Sequence, residues 1–221
     1  MKLKKQFSEE ELARIKAAVK EAEDKISGEI VPVIVERSGF YSIANYKSSL
    51  ICAAFTFVIM IILDRYVIVD ASTTLYYDPL FIFVVVTCGG LIGAILPNWI
   101  DPLKRWLVSQ QQLDASTRMR AENVFLEEEV FNTKQRTGIL IFISFLEHEV
   151  IVMADKGINK VVDQKQWDKI VAGLITYIRA GKIVDGLEEA IKHCGELLLE
   201  KGFHKTADDI NELGDDLRIN G

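Results

Sequence analysis

Two stretches, Ser48–Leu63 and Pro79–Ile100, contain no charged residue, while the chain around them mixes apolar and charged positions at helical and strand spacing. Neither stretch has the polar stripe of a soluble amphipathic helix. At about 1.5 Å per residue the second covers the roughly 30 Å hydrocarbon core of a bilayer. The first is shorter. It is extended by Lys47, whose stem can snorkel, and by Tyr66, Val67, Ile68 and Val69 beyond Asp64 and Arg65. Tyr41, Tyr46, Tyr66, Tyr76, Tyr77, Trp99 and Trp106 fall near the run ends, where amphipathic rings favour the headgroup region. The pattern predicts a transmembrane helical hairpin over 41–106, inserted into a discontinuous soluble domain of 1–40 plus 107–221. Gly89 and Gly93 offer a close-packing face for the first span or for a second copy, a route to a homo-oligomer through the hairpin.

Outside the hairpin the periods are those of a small α+β domain. Ser8 and Glu11 read as a capping box, and Leu12, Ile15, Val19, Ala22 and Ile26 share one helical face, with Gly28 as a left-handed end. Glu29–Glu36 reads as a strand, with Pro32 at an edge or near its start. A long helix over Ser109–Thr133 follows. Gly138–Phe145 and Glu149–Ala154 then form a hairpin around Glu147 and His148. Asp163 caps a helix carrying Trp167, Ile170, Leu174 and Ile178, with Gln166 completing the box. After Gly181, Ile183–Leu198 marks a last long helix ending near Gly202, and His204–Gly221 reads as a polar, loosely packed tail. The fold class is α+β, an α/β sandwich: a small β-sheet covered by amphipathic helices and interrupted by the hairpin.

Charge narrows the partners. The net charge of −6 belongs to the soluble part, since 41–106 is balanced, which argues against nucleic acid. Lys47, Lys104 and Arg105 flank the outer ends of the hairpin. Its loop sets Arg65 against Asp64, Asp70 and Asp78. The positive-inside bias therefore expects the inner (cytoplasmic) membrane, two spans, and the soluble domain on the cytoplasmic side. Gln6–Lys25 has no apolar core of a secretory leader. The three cysteines form no CxxC pair and suggest neither zinc nor a disulfide framework.

The turn from Asp155 to Asp163 is the best candidate for chemistry, because it leaves a strand and enters a helix. Asp155, Asn159 and Asp163 can offer oxygen ligands to Ca²⁺ or Mg²⁺, and Lys156 can neutralise a phosphate. Arg136 can bind an anion or pair with the Glu127-Glu128-Glu129 run, itself read as a helix's wet face. Glu29 reads as a weaker candidate or an exposed strand residue, and His148 as a solvated turn residue. The alternative for Asp155, Gly157 and Asp163 is that they only cap helices and shape a turn. The glycine-rich, zinc-protease and nucleophile-elbow patterns are absent.

Several stretches carry a resemblance: Ile26-Ser27-Gly28-Glu29-Ile30, Arg136–Ser144, Glu147–Val150, Ala154-Asp155-Lys156-Gly157-Ile158-Asn159, Val162 and Trp167, Ile183–Leu187, and Ile210-Asn211-Glu212-Leu213. In this order they resemble the TPM domain family, in its bacterial membrane-anchored branch. The family includes a thylakoid-lumen acid phosphatase, photosystem II repair proteins and a receptor modulator. The resemblance implies a sheet sandwiched by helices. It also implies one of two functions: a non-catalytic adaptor in assembly, repair or turnover of integral membrane protein complexes, or a divalent-metal-dependent phosphatase. Relatives with a Gly-x-Gly turn have two glycines where Ala154-Asp155-Lys156-Gly157 has one, which favours the adaptor.

Overall fold

The computed structural model describes residues 6–66, 78–206 and 211–220. Val67, Ile68, Val69, Asp70, Tyr76, Tyr77, Asp208, Asp209 and Ile210 lie outside the described residues. The chain divides into two compact units: Met1–Gly39 with Asp114–Gly221, and Phe40–Leu113.

The first unit is α+β. Helix α1 (Glu9–Glu23) starts on the expected capping box, with the Ser8 N–H donating to Glu11 Oε2 at 2.8 Å and the Glu11 N–H to Ser8 Oγ at 3.2 Å. It ends at Glu23, and Gly28 is not in the left-handed region. Gly28 serves close approach instead, since a Cβ there would stand 2.9 Å from the Thr137 carbonyl. Strands β1 (Glu29–Val35) and β2 (Gly138–Ser144) pair in parallel, and β3 (Glu149–Ala154) returns antiparallel to β2. His148 takes the left-handed conformation (φ 56°) that closes this hairpin. The polar tail is not loose over 211–220. It ends in a short strand, β4 (Arg218–Asn220), parallel to β1, which gives the order β3-β2-β1-β4. Pairing with β4 begins only at Val33, so β1 is an edge on that side at Pro32, where a missing N–H is tolerated.

The strand period of two divides the core. Ile30, Ile34, Ile139, Ile141 and Ile143 face α1, α7 (Gln164–Arg179) and α8 (Ile183–Glu200), meeting Ile15, Val19, Leu174, Leu187 and Ile191. Val31, Val33, Val35, Leu140 and Phe142 meet Ala121, Val124 and Val130 on the other face. The helix supplying that layer, α5 (Gln110–Glu127), stops short of the expected Thr133, and Glu129 is left-handed (φ 53°).

The second unit contains α2 (Ser42–Tyr66) and α3 (Pro79–Ile95) as an antiparallel pair, then a 3-10 turn (Leu96–Asn98) and α4 (Asp101–Leu107). Helices α2 and, with its 3-10 extension, α3 are long and apolar enough to cross a membrane. Only 6% and 11% of their apolar windows are buried, unlike core helices of a soluble protein. The glycine face is spent within the chain. A Cβ at Gly93 would fall 2.5 Å from Cys52 Cβ, and one at Gly89 would meet the Thr56 hydroxyl. Ser48, Cys52 and Thr56, spaced by four, form the matching groove on α2.

Candidate functional site

The Asp155–Asp163 turn leaves β3 at the end of the sheet where β2 begins. The Asp155 N–H donates to the Gly138 carbonyl at 2.9 Å, which sets the chain end of one strand against the start of the other. The next residues form a single helical turn, α6 (Lys156–Asn159). Gly157 lies against the Arg136 loop. Its N–H donates to the Arg136 carbonyl at 3.0 Å, and a Cβ would sit 2.5 Å from that oxygen. Arg136 is itself left-handed (φ 59°).

This backbone knot brings Arg136 onto Asp155. Nε lies 2.7 Å from Oδ2 and Nη2 donates to Oδ1 at 3.2 Å, a two-point contact of guanidinium and carboxylate. Oδ1 also accepts the Lys156 N–H at 2.7 Å, so Asp155 caps α6. Asp155 is 4% exposed, whereas the Arg136 side chain is half exposed and lies over the Phe131 ring at 5.6 Å. Arg136 therefore pairs with Asp155 and not with the glutamate run. In that run Glu128 pairs with Arg218 (3.2 Å) and Glu127 with Arg120 (3.0 Å).

The other expected ligands have local work too. Asn159 donates its amide nitrogen to the Ala154 carbonyl. Asp163 is the N-cap of α7, with its N–H donating to Gln166 Oε1 at 3.3 Å. Lys156 is exposed. Among the described residues no three His, Cys, Asp or Glu side chains gather as a metal site. A divalent ion at Asp155 would meet a guanidinium already bonded to the same carboxylate. Asp155 and Asp163 each serve as a helix cap in this arrangement, with Asp155 Oδ2 buried, ion-paired to Arg136 and without a hydrogen-bond partner.

The second cluster is not an exposed one. Glu29 is 7% exposed and accepts the Glu212 and Leu213 N–H groups at 3.1 and 3.3 Å, fastening the tail to the start of β1. Glu23 is 6% exposed. It accepts the Ile30 N–H at 2.8 Å and the Asn211 amide at 3.5 Å. Burial is the main force pushing the Glu23 carboxyl up, to about 8. The charges of Glu29 and Asp215 add to it, against the Ile30 hydrogen bond. Burial likewise raises Glu29, against its two backbone hydrogen bonds. A cavity of about 110 Å³ adjoins the pair, lined in part by Lys20, Lys205 and Asn211. Sequence reasoning passed over Glu23, although it follows Ile15 and Val19 at spacings of four on the core face. A fourth buried acid, Glu147, accepts from the Ser38 N–H (2.9 Å) and the Ser144 hydroxyl.

The TPM domain family model matches residues 106–197. The chain is also similar in fold to the BA42 protein from the psychrophilic bacterium Bizionia argentinensis, whose structure was determined by NMR. The TM-score is 0.57 at 21% identity, over 96% of this chain and 94% of that one. No curated protein matches the chain. The matched residues contain β2, β3, α6 and α7, and the Arg136–Asp155 pair lies among them: over these residues the chain is similar to the TPM domain.

Proposed function

We propose that this protein is a membrane-anchored TPM-domain adaptor, non-catalytic, serving the assembly, repair or turnover of integral membrane protein complexes. One observation carries the reading. At the turn where chemistry was expected, Asp155 is bonded by Arg136 and by the α6 backbone, and Asp163 serves as the α7 cap. A phosphatase needs groups that meet substrate or metal, and these carboxylates are spent on the fold. The apolar, little-buried α2 and α3 support two spans. Lys47, Lys104 and Arg105 at their outer ends support a cytoplasmic placement of the first unit.

The test uses the full chain in detergent on a generic phosphate ester with Ca²⁺, Mg²⁺ or chelator. The expected result is no turnover above that of Asp155→Asn under any of the three. Metal-dependent turnover that disappears in Asp163→Asn, with the fold kept, would replace the adaptor with a hydrolase. Asn also caps helices, so that variant isolates charge from capping.

A further inference from the structure

We propose that the outer edge of β3 pairs antiparallel with β3 of a second copy of this chain, joining the two sheets into one continuous sheet. Strand β3 ends the sheet on its side, since the order is β3-β2-β1-β4. Every residue of β1 and β2 is buried, whereas every residue of β3 except Val150 is partly exposed. The Asp155 N–H bond to the Gly138 carbonyl, together with the β2–β3 register, fixes which backbone groups point outward. Opposed residues of an antiparallel ladder alternate between bonded and unbonded pairs. Gly138–Asp155, Leu140–Met153 and Phe142–Ile151 are then the bonded pairs. Val150, Val152 and Ala154 turn their N–H and C=O groups away from β2. The Asn159 amide on the Ala154 carbonyl agrees with that phase and closes the far end of the edge.

The two edges of the sheet are guarded differently. Strand β4 is three residues long and opens on Arg218, and short, charged edges discourage further pairing. Strand β3 has neither device. Val150–Ala154 contains no charge and no proline, and its ladder to β2 runs through six consecutive pairs without a bulge. An apolar edge of this kind is a template for another strand.

The edge is complementary to itself. Pairing about Val152 sets Val152 against Val152 of the second copy and Val150 against Ala154, so every outward position meets an apolar one. It also carries Glu149 of each copy to the end of the edge where Lys156 of the other stands. Burial is the main force raising the Glu149 carboxyl; Asp114 and Glu147 add to it, against a Thr117 hydrogen bond. A cation brought beside Glu149 favours its charged form. Lys156 is exposed and makes no ion pair among the described residues. Antiparallel pairing brings these unlike ends together twice, whereas parallel pairing would set like ends side by side.

Sedimentation and residue-resolved amide hydrogen exchange of the full chain in detergent, across a range of protein concentrations, test this. The expected result is a dimer, with exchange at the Val152 and Ala154 N–H groups slowing as it forms. Val152→Pro removes an outward N–H and leaves the bonds to β2, as an edge strand allows. It should be a folded monomer. Lys156→Glu should weaken the dimer about fivefold, because two exposed ion pairs are lost at once, and adding Glu149→Lys should restore it. This charge reversal decides the matter even if Val152→Pro fails to fold. A monomer at every concentration overturns the proposal. A dimer that survives in a folded Val152→Pro places the contact elsewhere and overturns it too. Protection of Val152 and Ala154 in the monomer would mean that the chain covers its own edge. A dimer indifferent to both charge changes overturns the antiparallel register.

Discussion

Asp155 and Glu23 are equally buried, at 4% and 6% exposure, yet they meet opposite surroundings. Asp155 lies against a guanidinium at 2.7 Å and caps a helix. Glu23 faces Glu29 and Asp215, and its nearest bonds are to neutral donors, the Ile30 N–H and the Asn211 amide. The first is a charge with its partner built in. The second is a carboxyl that the fold prefers to keep protonated. Burial is the main force on Glu23, and the like charges of Glu29 and Asp215 add to it.

The largest expected effect follows from Glu23. Its carboxyl stands near 8 in the folded chain against 4.5 as the reference value. A raised carboxyl contributes stability that is fully present below pH 4.5 and is lost as pH rises through about 8. The full chain should therefore lose stability over that window at up to about 1.4 kcal/mol per pH unit. Glu23→Gln should flatten the decline and be the more stable form at pH 9 by as much as about 4 kcal/mol. Denaturant unfolding at a series of pH values checks this, and a parallel decline in the variant would remove Glu23 as the cause. Glu29→Gln should flatten the decline less, since two backbone N–H groups favour its charged form.

The Arg136 side is expected to be smaller. Arg136→Ala leaves Asp155 buried without its cation, but the arginine is half exposed and water can partly replace it. A loss of about 1–2 kcal/mol is expected in denaturant unfolding, shrinking as salt is added. A loss independent of salt would mean that packing on Phe131, not charge, is what Arg136 supplies. The smallest effect belongs to Asn159→Ala, which removes one bond to the Ala154 carbonyl and should cost about 0.5–1 kcal/mol.

The two clusters also differ in how far the chain itself reveals them. The capping boxes at Ser8 and Asp163, the β2–β3 hairpin and the two apolar helices all follow from local spacing, and each is present. Arg136 and Asp155 are nineteen positions apart, and only the register of that hairpin, which sets Asp155 against Gly138, brings them together. Glu23 carries a visible signal in its place on the α1 core face, but charge made it read as surface. The tail's packed apolar residues, Leu213, Leu217 and Ile219, are too few among its charges to show a period. Residues 211–213 are held through backbone N–H groups by Glu29, and backbone donors leave no mark in a side-chain pattern. Helix α4 left no mark either, because the chain turns at Leu96–Asn98, inside the charge-free run, and the short helix that follows mixes Asp101, Lys104 and Arg105 with few apolar residues.

The contrast turns on the protonation of Glu23, and the most direct measurement is the titration of its side-chain carboxyl carbon by NMR in the full chain, assigned with Glu23→Gln. The expected midpoint is near pH 8, with Glu29 also above its ordinary range. A Glu23 midpoint near 4.5 would contradict the reading that burial among like charges keeps this carboxyl protonated.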